Sequence, residues 1–250
     1  PGCSYSCGTP CTDPSIPTVT FLPSIICDGN SALLSIIGNL NDATQWKIYT
    51  NSCGGTLIGS TPGSTITVTP TLPSTTYYVR GEGGCSTPGS CGQITITTTA
   101  IDNASFAYSS PSYCADASDP TPSITGVTGG TFSSTGGLSI NASTGVIDVS
   151  ASTPAIYSVT YTTAGNCPNS SNVSVTVNSL DDASFNYGSA AYCVTSADPT
   201  PSITGVTGGT FSSTTGLSIN ASTGEIDVST STPGTYTVTH TTAGTCPNSG

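Results

Sequence analysis

Eleven cysteines, numbers 3, 7, 11, 27, 53, 85, 91, 114, 167, 193 and 246, stand against a single histidine, His240, in 250 residues. Thiolates in such numbers either hold metal or cross-link the chain. Structural zinc needs four thiolates or imidazoles converging at close spacing, and most of these cysteines sit alone, dozens of residues from the next. Only Cys3, Cys7 and Cys11 cluster, and Gly2, Gly8 and Pro10 disfavour the helix that would gather them. The remaining chemistry is disulfide formation outside a reducing cytosol.

Other chemistry is sparse. A hydrolytic triad needs a base, and His240 occupies a position where an internal repeat has Tyr161, so the fold's activity does not depend on it. Carboxylate pairs for glycoside cleavage are not suggested by acids that lie in turns such as "ASDPTP" and "LDDASF". The chain therefore reads as non-enzymatic. Lys47 and Arg80 are its only permanent cations against 13 acids, a net charge of -11. Nucleic acid and anionic membrane surfaces both require clustered Lys and Arg, so neither is an expected partner. No apolar run approaches the roughly 20 residues that cross a bilayer as a helix.

The elements that position the cysteines follow from an internal repeat. "DNASFAYSSPSYC" from Asp102 aligns with "DDASFNYGSAAYC" from Asp181 at an offset of 79, which Phe132 and Phe211, Pro154 and Pro233, and Cys167 and Cys246 all keep. Residues 101–171 and 180–250 differ at 19 of 71 positions without insertion or deletion. A period this long describes whole tandem domains rather than solenoid repeats. Four segments result: 1–14, the end of a preceding segment or linker; 15–100, a first domain; 101–179, repeat copy 1; and 180–250, repeat copy 2.

Copy 1 carries seven strand-like runs, among them "GTFSS", "IYSVTYTT" and "VSVTVN", punctuated by turn residues. Period-two alternation points Tyr157, Val159 and Tyr161 inward, and likewise Val173, Val175 and Val177. The pattern predicts an all-β chain of two-sheet sandwiches, arranged as an extended rod. Trp46, mid-strand in "TQWKIY", is expected in the first sandwich's core rather than on a sugar-stacking platform. Gly250 aligns with Ser171, so copy 2 stops before its counterpart of "NVSVTVN". The chain is expected to continue, or a neighbour to insert a strand.

Small sandwiches bury little apolar area and gain from staples. The expected bridges are Cys114–Cys167 in copy 1 and Cys193–Cys246 in copy 2, each closing 53 residues, worth roughly 4 kcal/mol in the chain-entropy picture. In the first domain four cysteines permit three pairings, of which Cys27–Cys53 and Cys85–Cys91 are favoured as local.

"GLSINASTGEIDVSTSTPGTYTVTHTTAGTCPNS" resembles the tandem immunoglobulin-like repeats of giant cell-surface adhesins of gliding and related Bacteroidota, exported by the type IX secretion system. "CDGNSALLSIIG", "WKIYTNSCGGTLIGS" and "TTYYVRGEGGC" look like a further immunoglobulin-like module of the same proteins. The resemblance spans residues 15–250 and implies all-β, tandem immunoglobulin-like or cadherin-like sandwich domains in an extended rod, an extracellular, cell-surface stalk or filament supporting attachment or gliding. Its implied partners are neighbouring domains of the same chain and surface glycans or other cell-surface proteins. One departure is that no Asp precedes Ser or Thr, so the short O-glycosylation motif of that phylum is missing. Alternatives are a filament subunit completed by strand donation and a carbohydrate-binding accessory region of a secreted enzyme. No cofactor is expected. Structural calcium is conceivable where Asp102, Asn103, Asp181 and Asp182 meet the domain junctions, with Asp119 and Asp198 nearby, although calcium wants six to eight oxygens and no tight acidic loop is present.

Overall fold

Runs of Val, Ile, Tyr and Thr at period two favour the pleated backbone, and Gly, Pro, Asn and Asp break it at short intervals. The computed structural model describes residues 10–250, and every regular element among them is a strand. The first eight are β1 (Thr18–Leu22), β2 (Ile26–Cys27), β3 (Ala32–Ile37), β4 (Gln45–Thr50), β5 (Thr56–Thr61), β6 (Thr65–Val68), β7 (Ser74–Glu82) and β8 (Gly92–Thr99). They form a three-stranded sheet in the order β1-β3-β6 and a five-stranded sheet in the order β2-β8-β7-β4-β5. Side chains from both sheets meet in one core: Leu34 and Val68 from the first, Ile26, Trp46, Ile48, Tyr77, Val79 and Ile96 from the second. Trp46 is 3% exposed, a core residue with no face available to a sugar.

Copy 1 contributes β9 (Phe106–Ala107), β10 (Ser112–Cys114), β11 (Ser123–Ile124), β12 (Thr131–Ser134), β13 (Ser139–Ile140), β14 (Ile147–Asp148), β15 (Ala155–Thr162) and β16 (Ser170–Asn178). Its main sheet runs β10-β16-β15-β12. The hairpin of β15 and β16 pairs from Ala155↔Val177 to Thr162↔Ser170, and its inward phase is the expected one. Tyr157, Val159, Tyr161, Val175 and Val177 are all buried, while Val173, nearer the hairpin tip, is half-buried. Phe106, Phe132 and Tyr161 pack together with ring centroids 4.6–5.9 Å apart. The turn beneath them needs Gly145, whose φ of +72° is the left-handed region, and the Tyr108 hydroxyl donates to its carbonyl at 2.5 Å.

The strand β10 is not among the seven runs read from the sequence. "SSPSYC" carries turn residues, and becomes a strand because β16 offers an edge to pair with in parallel, Ser112↔Thr176 to Cys114↔Asn178. β2 pairs with the end of β8 in the same way, Ile26↔Thr98 and Cys27↔Thr99.

Copy 2 forms β17 (Phe185–Asn186), β18 (Ser202–Ile203), β19 (Thr210–Ser213), β20 (Ser218–Ile219), β21 (Ile226–Asp227) and β22 (Val238–Thr241). Each matches a strand of copy 1 except that β22 has four residues where β15 has eight, and the counterpart of β10 is not a strand. A ladder needs a partner: both missing pieces are those that β16 templates in copy 1.

By contacts the chain divides into two compact units. One holds the described residues up to Ala104 together with 126–128 and 163–169; the other holds 105–125, 129–162 and 170–250.

The disulfides correct the expected pairing. Among the described residues the bonds are Cys11–Cys85, Cys27–Cys167, Cys53–Cys91 and Cys114–Cys246, and Cys193 is an exposed free thiol. Neither Cys114–Cys167 nor Cys193–Cys246 forms, and neither Cys27–Cys53 nor Cys85–Cys91. The reason is strand length. Cys114 lies opposite Asn178, at one end of β16, whereas Cys167 lies in the loop before Ser170, at the other. Eight residues at about 3.3 Å each separate those ends, and a disulfide needs Cα atoms within about 7 Å. Cys27 likewise sits at the Thr99 end of β8, while Cys53 meets Cys91 beside Gly92, at its opposite end. Cys85 goes to Cys11 because the N-terminal segment is drawn onto the β7–β8 turn, where the Asp13 carboxylate accepts from the Thr87 amide at 2.9 Å and its hydroxyl at 2.8 Å. Cys3 and Cys7 lie outside the described residues.

Candidate functional site: the clamped junctions

Two of the four bonds join one sequence segment to the next, 15–100 to 101–179 and 101–179 to 180–250, and they do so by the same construction. At the first junction Cys27 bonds Cys167 with Cα atoms 5.5 Å apart. The Asp28 amide donates to the Thr99 carbonyl at 2.9 Å, fixing Cys27 against the last residue of β8. Three residues further along, the Asp102 amide donates to the Cys167 carbonyl at 2.9 Å. The Thr163 hydroxyl donates to the Asp102 carboxylate at 2.9 Å, and the Asn169 side-chain amide to the Asp102 carbonyl at 3.2 Å.

The second junction repeats each contact. Cys114 bonds Cys246 at a Cα separation of 5.5 Å, and the Ala115 amide donates to the Asn178 carbonyl at 3.0 Å. The Asp181 amide donates to the Cys246 carbonyl at 2.9 Å. The Thr242 hydroxyl donates to the Asp181 carboxylate at 2.9 Å, and the Asn248 side chain to its carbonyl at 3.2 Å.

Each junction is thus a closed ring. The chain crosses once through the peptide backbone, from Thr99 to Asp102 or from Asn178 to Asp181, and a second time through sulfur. The parallel pairing of β2 with β8 and of β10 with β16 supplies the geometry, since it brings the cysteine of an early strand beside the exit of the last one.

The acids considered for calcium have protein partners of their own. Asp102 and Asp181 accept from Thr163 and Thr242, Asp182 from the Ser184 amide, and Asp119 and Asp198 from the amides of Val149 and Val228, one in each copy. Among the described residues the one trio of Cys, Asp, Glu or His ligand atoms lying together is Cys11, Asp42 and Cys85, whose two sulfurs are already bonded to each other. His240 is fully buried, its ring stacked on Phe211 at 4.5 Å with Nε2 2.7 Å from the Gly208 carbonyl. It fills the core position that Tyr161 holds in copy 1.

A second concentration of charge strengthens the first sandwich. Both cations of the chain converge on Glu82: Lys47 Nζ at 3.0 Å and Arg80 Nε at 2.7 Å, with the Tyr49 hydroxyl donating at 2.5 Å. Burial alone would raise this carboxyl, but the hydrogen bonds from Tyr49, Lys47 and Arg80 outweigh it and lower it to about 2. A depressed carboxyl stabilises the fold above its unfolded value near 4.5 and loses that contribution as pH falls toward 2. The shift corresponds to about 3 kcal/mol. The sole tryptophan, Trp46, reports this sandwich alone, so its fluorescence-detected unfolding in denaturant is expected to weaken steeply between about pH 4.5 and 2. Glu82→Gln is expected to flatten that dependence and to cost most at neutral pH.

The architecture is an all-β chain of immunoglobulin-like modules. Residues 14–99 match the profile of the family described as Ig-like domain CHU_C associated. Similar solved structures include mouse cadherin-23 EC22-24, at 15% identity and a TM-score of 0.32, with 93% of this chain and 96% of that one covered. Another is human CDH23 EC21-23, at 13% identity, TM-score 0.32, and 94% and 99% coverage. The fibronectin(III)-like modules of Clostridium thermocellum CbhA align at 12% identity and TM-score 0.34, over 65% of this chain and 95% of that one. No curated protein sequence matches. The described residues contain no helix long and apolar enough to cross a membrane, and four disulfides belong to an oxidising, extracytosolic setting.

Proposed function

We propose that this chain is a spacer segment of an extracellular surface adhesin, in which successive modules are clamped so that an adhesive part is held at a fixed distance from its anchor. The observation that carries the reading is the recurrence of one junction, contact for contact, at both passages between modules. Selection for a ligand site gives no reason to repeat it; selection for stiffness does. The repeat residues quoted above and the Ig-like match at 14–99 favour an adhesin of the Bacteroidota type, exported by the type IX route and serving attachment or gliding. Burial of Trp46 and the few cationic sites for trypsin-like proteases fit an exposed fibre better than a sugar-binding platform.

Single-molecule energy transfer tests it, with dyes attached in the first sandwich and in copy 2. The parent chain should give one narrow distance distribution, and the double variant Cys114→Ser, Cys246→Ser, read well below its unfolding transition, should give a broader one. Equally broad distributions for parent and variant would remove the basis for a spacer role.

A further inference from the structure

Copy 2 exposes an apolar face whose counterpart in copy 1 is covered. In copy 1, β16 lies between β10 and β15, and beneath it Tyr157 and Val159 are 3% and 0% exposed. In copy 2 the equivalent Tyr236 and Val238 are half-buried, and Tyr192 and Val194 are 37% and 53% exposed. These four, with Tyr187 and Ile226, line an open groove of ≈ 630 Å³. Beside the groove a further strand has already begun. Thr241 bridges Ser249, and His240 and Gly250 exchange both backbone hydrogen bonds, at 3.0 and 3.1 Å. That is the register of Thr162↔Ser170 and Tyr161↔Ser171 in copy 1. At the groove's far end stands Cys193, a free exposed thiol. Its equivalent Cys114, and Cys27 in the first sandwich, are each bonded to the loop cysteine of the module that follows.

We propose that copy 2 is an acceptor with two coupled parts: a groove for an extended strand of β16's alternating-valine pattern, continuing the register that Thr241↔Ser249 and His240↔Gly250 begin, and the Cys193 thiol for the loop cysteine of another repeat of this kind to which that strand is joined. The alternation matters because valines at every second position would cover Tyr236 and Val238 as Val175 and Val177 cover their counterparts, leaving hydroxyls outward. The strand also restores pairing to residues 189–193, which in copy 1 become β10 only when β16 is beside them. The covalent step is oxidation of two thiols to one disulfide, the two electrons and two protons passing to oxidised glutathione or an equivalent disulfide by exchange through a mixed disulfide. The proposal rests on the repeat and the groove, not on the adhesin reading.

Two extended forms of the full chain test it. In the first, Gly250 is followed by the sequence of residues 172–180. Hydrogen exchange at residues 189–193 and 235–239 should slow by about tenfold or more relative to the unextended chain, and an extension with its valines changed to serine should leave exchange unaltered. Equal exchange in all three chains would overturn the groove assignment. In the second, Gly250 is followed by the sequence of residues 172–250, and the chain is refolded in a glutathione buffer and digested without reduction. A peptide linking Cys193 to the second cysteine of the appended copy is the expected result. Cys193 remaining a free thiol, bonding the appended copy's first cysteine, or bonding a second molecule would each overturn the thiol assignment. A free peptide of residues 172–180 that protects the unextended chain as fully as the in-line extension would show that the strand arrives from another molecule, contrary to the proposal. None of these outcomes alters the two clamps already present, so their failure is separable from that of the spacer reading.

Discussion

The double variant Cys114→Ser, Cys246→Ser will unfold at a markedly lower temperature in calorimetry, while the unfolding reported by Trp46 stays where it was. The bond spans 132 residues, and in the chain-entropy picture closing a loop of that size is worth about 5 kcal/mol. Measured losses for native disulfides run from about 2 to 5 kcal/mol, and for modules this small each kcal/mol moves the midpoint by about 4–8 °C. A fall of more than about 10 °C in the transition of the copies is therefore expected. Trp46 belongs to the sandwich clamped by Cys27 and Cys167, which the variant leaves intact. Serine hydroxyls at 114 and 246 keep the local shape, so the loss measures the bond rather than a packing defect. Equal midpoints for variant and parent would mean that the junction is held by its hydrogen bonds alone.

Tyr161→Ala should be the most damaging single change in copy 1. The side chain is fully buried at the centre of the Phe106, Phe132 and Tyr161 cluster, and its hydroxyl accepts the Gly130 amide at 3.0 Å. Truncating a buried aromatic costs about 3–5 kcal/mol, and here a buried amide also loses its partner. Tyr161→His is a different experiment, because copy 2 has already performed it. His240 stacks on Phe211 at 4.5 Å where Tyr161 lies tilted against Phe132 at 4.6 Å. The histidine variant should therefore lose less than the alanine one, since an aromatic ring still packs on Phe132 while the smaller imidazole gives up only the hydroxyl and part of the volume. Denaturant titration of the three chains gives the comparison directly. A histidine variant as unstable as the alanine one would show that the two copies are not packed alike.

These particulars explain which features the sequence displays and which it hides. The hairpin of β15 and β16 is legible because its two faces differ: Tyr157, Val159 and Tyr161 alternate with Ser158, Thr160 and Thr162, and a register slip would turn all of them outward. Trp46 is legible for a similar reason, as a large apolar residue in the middle of an alternating run. The disulfide partners are hidden. Equivalent cysteines invite pairing within each copy, but partner choice depends on which end of a strand each one occupies, and Cys114 lies on a strand whose own residues do not announce it. β10 exists because β16 is beside it, as its absence from copy 2 demonstrates. One signal was available. Cys167 falls between the two halves of an obvious hairpin and must lie at its tip, some eight residues of ladder from the other end, which leaves an adjoining module as the nearer source of a partner. The junction acids were similarly ambiguous: an Asp at a domain boundary suits calcium on composition, and only the positions of Thr163 and Thr242 assign Asp102 and Asp181 to hydrogen bonds.

The central claim is that sulfur joins modules to one another rather than closing each upon itself. Mass spectrometry of an unreduced peptic digest, kept acidic so that thiols do not exchange, reads this directly. The account predicts cross-linked peptides containing Cys27 with Cys167 and Cys114 with Cys246. Peptides linking Cys114 to Cys167, or Cys193 to Cys246, would contradict it.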